Sequence, residues 1–265
     1  MPIQTHRCGE DTQAAAPAWS GAELAANPHE HAQKADKVRR MFAAIAGRYD
    51  LNNRLHSFGR DQAWRRAAVR MARLRGEEEV LDVACGTGDL SRAFAAGGAR
   101  RVVGLDFTPE MLAIARRGPL NGARGPAVIS YLDGDATALP FGDRSFDVVS
   151  IAFGIRNLSE PARALSEFRR VLRPGGRVIV LEFSRPTFAP IAWASDVYTN
   201  HIMPRTATLI SGDRSGAYHY LPRSVSTFLS REKMAQALRE AGFSGIEWKA
   251  LTFGICVCYR GEMPV

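Results

Sequence analysis

Two spacings of apolar residues divide the chain. Val38, Met41, Phe42 and Ile45 recur at helical intervals, as do Trp64, Ala68, Met71 and Leu74. They predict helices over 34–48 and 61–74, joined by a polar connector from Tyr49 to Gly59. Arg65, Arg66, Arg70 and Arg73 flank the apolar face of the second helix. Beyond Glu78 the pattern changes to short apolar runs alternating with amphipathic ones. Strands are predicted over Glu79–Val83, Arg101–Leu105, Ala127–Leu132, Phe146–Ala152 and Arg177–Phe183. Helices fall over Leu90–Ala96, Pro109–Arg116 and Ser159–Leu172, the last closed by Arg173-Pro174-Gly175-Gly176. Residues 245–260 read as two terminal strands. This alternation predicts an α/β, Rossmann-like fold: a mostly parallel seven-stranded sheet with helices on both faces.

Residues 185–230 break the rhythm with short apolar pieces among Pro186, Pro190, Pro204 and Pro222. They read as a helical insertion ahead of a last helix, Arg231–Ala241. Residues 1–33 are Ala-rich and polar without periodicity, and are expected to be a disordered extension. The expectation is therefore one domain over 34–261, with 34–75 as a helical lid.

At 265 residues and 46% hydrophobic content the chain can bury one sizeable core. No apolar run is long enough to span a bilayer, and the start does not look like a signal peptide, so a cytoplasmic protein is expected. Cys8, Cys85, Cys256 and Cys258 form no Cys-x-x-Cys pair and have no histidine cluster beside them. No metal site or disulfide framework is expected. The net charge of +8 is local: residues 34–75 hold twelve basic and three acidic residues, leaving the remainder near neutral. Such a region suits an anionic partner, a membrane surface or a nucleic acid, or is simply a set of solvated helix faces.

The chemistry sits at the predicted strand ends, where ligands of open α/β sheets bind. Asp82 precedes a turn holding Gly86, Thr87 and Gly88; Asp106 and Asp135-Ala136 end the next two strands. A dinucleotide site wants a third glycine, but that position is Ser91, and Asp89 at the helix mouth would repel phosphate. S-adenosylmethionine carries no phosphate. Asp82 and Asp89 suit its cationic groups, Gly86 and Gly88 allow close backbone approach, Asp106 suits the ribose hydroxyls, and Asp135-Ala136 the adenine edge.

The run Leu81-Asp82-Val83-Ala84-Cys85-Gly86-Thr87-Gly88-Asp89-Leu90 resembles the first motif of class I methyltransferases. Asp135 to Phe141 with Ser145-Phe146-Asp147 resembles their adenine-side motif. Narrower stretches are Arg48-Tyr49-Asp50-Leu51-Asn52-Asn53, Ser57-Phe58-Gly59, Phe153-Gly154-Ile155-Arg156-Asn157, Leu181-Glu182-Phe183-Ser184 and Tyr218-His219-Tyr220-Leu221. Together they resemble the C-methyltransferases of menaquinone and ubiquinone biosynthesis, over about residues 36–261. Thr87, Asp106, Asp135 and Ala136 then match cofactor-binding positions. Ala152 departs from a serine common there, and Cys85 from a glycine.

The resemblance implies methyl transfer from S-adenosylmethionine to a ring carbon of a polyprenylated quinol, either demethylmenaquinol or a benzoquinol. Ring carbons become nucleophilic once the neighbouring phenol is deprotonated, so a base or phenolate stabiliser is expected. Arg156 at the mouth of the site is the candidate stabiliser, Asn157 would orient the ring or a water, and Tyr49 and Asp50 of the lid are candidates for the base. The prenylated acceptor implies docking at the inner face of the membrane, and a homo-oligomer is compatible with the sequence. A nucleic acid methyltransferase acting on exocyclic base nitrogens would typically carry Asn/Asp-Pro-Pro-Tyr after the fourth strand; this chain has Ala152-Phe153-Gly154-Ile155-Arg156-Asn157. A cofactor-binding scaffold without catalysis is the other alternative.

Overall fold

The computed structural model describes residues 17–118, 128–213 and 215–265. Cys8, His6 and residue 127 of the expected third strand lie outside them. In chain order the elements are α1 (Gly21–Ala25), α2 (Lys34–His56), α3 (Arg60–Ala72), β1 (Glu79–Val83), α4 (Asp89–Ala96), β2 (Arg101–Asp106), α5 (Pro109–Arg117), β3 (Val128–Asp133) and β4 (Phe146–Ala152). They continue with α6 (Pro161–Val171), β5 (Leu172–Phe183), α7 (Ala189–Val197), α8 (Met203–Ser211), α9 (Ala217–Ser226), α10 (Arg231–Glu240), β6 (Ser244–Leu251) and β7 (Cys256–Glu262).

The sheet order is β3-β2-β1-β4-β5-β7-β6. Strands β1 to β5 pair in parallel, while β7 runs antiparallel to β5 and β6. The short β6–β7 link permits nothing else, because a parallel return needs a crossover. Strand order reverses between β1 and β4, which places the crevice of the sheet beside the turn after β1.

Two apolar layers cover the sheet. On one face Leu165 and Phe168 of α6 and Met234 and Leu238 of α10 meet Leu81, Val149 and Val180. On the other, Trp64 and Ala68 of α3 and Phe94 of α4 meet Val80, Val148 and Ile179. Cys256 and Cys258 point into the second layer and Val257 and Tyr259 into the first, the alternation a strand imposes. Burial pushes the Cys258 thiol up to about 12, so it is unreactive.

A third cluster joins Met41 and Ile45 of α2, Ala207 of α8 and Tyr218 and Tyr220 of α9 with Trp19. Here the structure corrects two expectations. Residues 17–33 are ordered: a capping box between Ser20 and Glu23 starts α1, and Trp19 is buried. The connector expected at 49–59 is mostly helix, since α2 runs to His56. Asp50 and Asn52, poor helix formers, are held by Thr87 and Tyr218 instead of by their own backbone. Trp64 is buried against the Phe153 and Phe183 pair, its indole N–H donating to Thr252 Oγ1 at 2.8 Å.

Candidate active site

The site grows from the turn between β1 and α4. Ala84, Gly86 and Gly88 all have positive φ, at 50°, 56° and 82°. Gly88 is the tightest point: a Cβ there would fall 2.3 Å from the Tyr131 hydroxyl. A Cβ on Gly86 would meet nothing within 4 Å, so that side of the turn is open to a ligand. The amide of Gly86 donates to Asp106 Oδ2 at 2.8 Å, tying the turn to the end of β2. Beside it lies a shallow, open cleft lined by Asp106, Phe107, Asp135, Ala136, Asn157 and Leu158, among others.

The structure sorts the expected residues. Asp82 does not reach the cleft. It is fully buried, with one carboxylate oxygen accepting from Ser91 Oγ at 2.6 Å and the other from Ser150 Oγ at 2.9 Å. Burial raises its pKa to about 6. It braces the turn from below, so the expected direct contact with a cationic group is corrected. Asp106 lines the cleft but is 7% exposed, less than its strand-end position implied. Its two oxygens accept from the amides of Gly86 and Thr108, and each keeps a lone pair for a ligand hydroxyl. Burial raises its pKa against the pull of those two donors. Asp135 is exposed at the rim, its Oδ1 accepting from the Thr137 amide at 2.8 Å; Ala136 is buried beneath it.

Arg156 departs most from expectation. Its guanidinium is not free at the mouth of the site. It is 3% exposed, paired with Glu182 at 2.5 Å, and donates to Phe153 O and Ser224 Oγ. The Glu182 carboxylate neutralises it from β5, leaving no spare cation for an acceptor. Asn157 does line the cleft. Its amide donates to Phe153 O at 3.1 Å and accepts from the Tyr220 hydroxyl at 3.0 Å.

Asp50 arrives from α2. Thr87 Oγ1 donates to its Oδ1 at 2.7 Å, so the lid helix touches the glycine turn directly. Burial raises the Asp50 pKa above its usual value. Tyr49 packs edge-on to Phe42, and burial raises its phenol too. One turn further on, an ionic cluster fixes the same junction: Asp89 at the start of α4 is bonded by Arg54, Gln62 and Arg92, and Asp61 by Arg54 and Arg65. Burial alone would raise the Asp89 pKa, but Arg65 and Arg54 hold it below the usual carboxylate range.

Sequence reading missed Glu182, Tyr220 and Lys34. The first two stood in recognised motifs without a role; Lys34 looked like one more surface cation. Its ammonium is buried and donates to Arg156 O at 2.8 Å and Leu158 O at 2.6 Å.

The donor set fits an adenosyl group with an amino-acid tail: carboxylates after β2 and β3, apolar walls between them, and an open glycine turn. Among the described residues no group of three His, Cys, Asp or Glu side chains is placed to hold a metal ion. The strand order, the turn and the strand-end carboxylates define a class I S-adenosylmethionine-dependent methyltransferase. The chain belongs to the ubiE/COQ5 methyltransferase family, whose profile matches residues 30–262. A demethylmenaquinone methyltransferase of Thermus thermophilus is 48% identical over 226 residues, 84% of this chain and 100% of that one. A ubiquinone/menaquinone biosynthesis C-methyltransferase of Cronobacter sakazakii is 39% identical over 86% of this chain and 91% of its own length. Among solved structures, an S-adenosylmethionine-dependent methyltransferase of Thermotoga maritima superposes with a TM-score of 0.58 at 21% identity, covering 85% of this chain and 99% of that one. That likeness speaks for the fold alone.

Proposed function

We propose that this methyltransferase methylates a ring carbon of a prenylated quinol, with demethylmenaquinol as its acceptor, and that it meets that acceptor at an anionic membrane surface. The observation that carries the acceptor class is the set of exposed apolar side chains on the lid and on the helical insertion. Leu51, Leu55 and Phe58 along and just beyond α2, Trp193 on α7 and Leu209 on α8 are exposed, Phe58 at 80%, Trp193 at 70% and Leu209 at 85%. No helix among the described residues is long and apolar enough to cross a membrane. A surface of this kind suits a substrate whose tail stays in the bilayer. The naphthoquinol choice follows the name of the Thermus relative. The Cronobacter relative's name covers both quinones, so a benzoquinol is the second reading.

Asp106 would take the ribose hydroxyls, Asp135 and Ala136 the adenine edge, and the Gly86–Gly88 backbone, with Thr87, the amino-acid end. When bound, S-adenosylmethionine supplies an electrophilic methyl group on sulfur. Asp50 is the base that this chain offers at the same point. Its carboxylate accepts the quinol hydroxyl proton, charge spreads to the ortho carbon, and that carbon forms the new C–C bond as the C–S bond breaks. The ring then loses the hydrogen on that carbon as a proton and regains aromaticity. A raised carboxylate pKa narrows the gap to a phenol and favours this transfer. Asn157, fixed from two sides, orients the ring or the adenosyl group. Arg156 and Asp82 support from behind.

The test is methyl transfer from labelled S-adenosylmethionine to demethylmenaquinol, a demethylated benzoquinol and RNA in parallel. Labelled menaquinol supports the reading. Label only on the benzoquinol moves the acceptor, and label only on RNA refutes it.

A further inference from the structure

The family match begins at residue 30, yet ordered chain precedes it. We infer that residues 17–34 form a strap that positions the 156–158 wall of the cofactor cleft, acting through Tyr220 and Lys34. The inference rests on the reading of this cleft as the S-adenosylmethionine site and not on the choice of acceptor.

The strap grips α9 and α2 at successive points. The Trp19 amide donates to Ser215 O, and Lys37 donates to Ala18 O at 2.9 Å. The Lys37 ammonium also sits 5.4 Å from the Trp19 ring centre. Arg223 on α9 donates to Leu24 O, and a His29 ring nitrogen bonds Ser224 O at 2.9 Å. Ser224 Oγ in turn receives Arg156.

Its centre is an aromatic stack. Trp19, 2% exposed, lies on Tyr220 with ring centres 4.6 Å apart and planes 18° from parallel. The Tyr220 ring is fully buried and its hydroxyl donates to the Asn157 side chain. The stack therefore sets where that hydroxyl points, and the hydroxyl sets the rotamer of a cleft-lining amide. From the other side, Lys34 holds the carbonyls of Arg156 and Leu158, the two residues flanking Asn157. One segment thus fixes both the backbone and the side chain of the wall. Among the described residues the buried Trp19 indole nitrogen has no partner, and the contact the ring makes with Tyr220 is the stack. Phenylalanine should then serve in its place and alanine should not.

The experiment is calorimetric binding of S-adenosylhomocysteine to the full chain, with thermal melts alongside. Losing the Tyr220 hydroxyl in Tyr220→Phe removes one buried hydrogen bond, so affinity should fall about five-fold, with a loss of melting temperature of a few degrees that leaves the protein folded at the assay temperature. Trp19→Ala should weaken binding similarly, and Trp19→Phe should restore most of it. Because Trp19 and Tyr220 act along one path, the Trp19→Ala, Tyr220→Phe double variant should bind about as the worse single one does, well short of the sum of both losses. Wild-type affinity in Tyr220→Phe, or losses that add in full, overturns the strap. Asp135→Ala is the control for the site: if it too binds normally, the cleft reading fails and takes this inference with it.

Discussion

Thr87 and Asp50, 37 residues apart in sequence, meet at 2.7 Å, the hydroxyl of the glycine turn donating to the carboxylate of the lid helix. On the proposed function, a residue of the cofactor turn and the proposed base are thereby one unit. Moving the lid moves the base relative to the turn, and alignment of reacting groups is worth orders of magnitude in rate.

Asp50→Asn keeps the Thr87 bond but removes the base. Turnover on demethylmenaquinol should fall about 100-fold or more, the usual contribution of a general base, with S-adenosylmethionine affinity nearly unchanged. The pH profile adds a second signature. Burial raises the Asp50 pKa, so wild-type kcat should rise with pH through a point above the ordinary carboxylate range, and the variant should lack that limb. A variant with full turnover removes Asp50 from the chemistry.

Arg156 and Glu182 form a buried pair at 2.5 Å. Arg156→Ala would strand the Glu182 carboxylate, a loss of about 3–5 kcal/mol in stability for a buried charge left alone. Urea unfolding should show most of the damage as lost stability. Replacing both, as Arg156→Met with Glu182→Leu, should recover much of it. An Arg156→Ala protein of wild-type stability that has lost only turnover would return the guanidinium to the reaction.

The parallel core and the glycine turn were legible because they are local. Short apolar runs, Gly86, Gly88 and Asp106 each declare themselves within a few residues. What a side chain points at is not local. Asp82 looked like a ligand-facing acid until Ser150, 68 residues on, was seen holding it, and Arg156 looked free until β5 brought Glu182 beneath it. The end of α2 was misjudged for the same reason: its helix-breaking polar residues are satisfied by Thr87 and Tyr218, which only the fold supplies. Composition concealed the strap, since one buried Trp19 anchors an otherwise polar, Ala-rich segment.

Asp82 should leave a mark on pH stability. Its pKa is about 6 in the fold against an ordinary 3.8. Between those values the unfolded chain has lost the proton while the folded one keeps it. Its contribution to stability is therefore full below pH 4, declines as pH rises, and levels off above about pH 6, by about 3 kcal/mol at most. Asp82→Asn cannot ionise, so it should gain on wild type as pH goes from 4 to 7. Parallel stability curves for the two proteins would show that Asp82 titrates normally.

The membrane prediction is reshaped by what the lid exposes. Trp64 and Arg65 are buried, so neither can reach lipid. Arg48, Leu51 and Leu55 fall at helical spacing on α2 and are exposed, and Phe58 and Arg60 follow at its tip, also exposed. Basic and apolar groups on one stretch can act together: the arginines attract anionic headgroups at about 1 kcal/mol each near the surface, and the apolar side chains enter the interface. Trp193 on α7 lies in the neighbouring insertion, which reaches the same tip through the bond of His56 Nδ1 to the Tyr198 hydroxyl at 2.8 Å. The two contributions separate by salt. Exposed charges are screened over roughly 8–10 Å at moderate ionic strength, whereas apolar insertion is not. Wild-type protein should co-sediment with anionic vesicles, less with neutral ones, and less again at high salt. Arg48→Gln with Arg60→Gln should lose the preference for anionic lipid. Phe58→Ser with Trp193→Ser should weaken binding to both vesicle types and raise KM for a long-tailed quinol more than for a short-tailed one. Sedimentation that ignores lipid charge and is untouched by either pair would mean that the lid meets its substrate in solution, and membrane docking would be wrong.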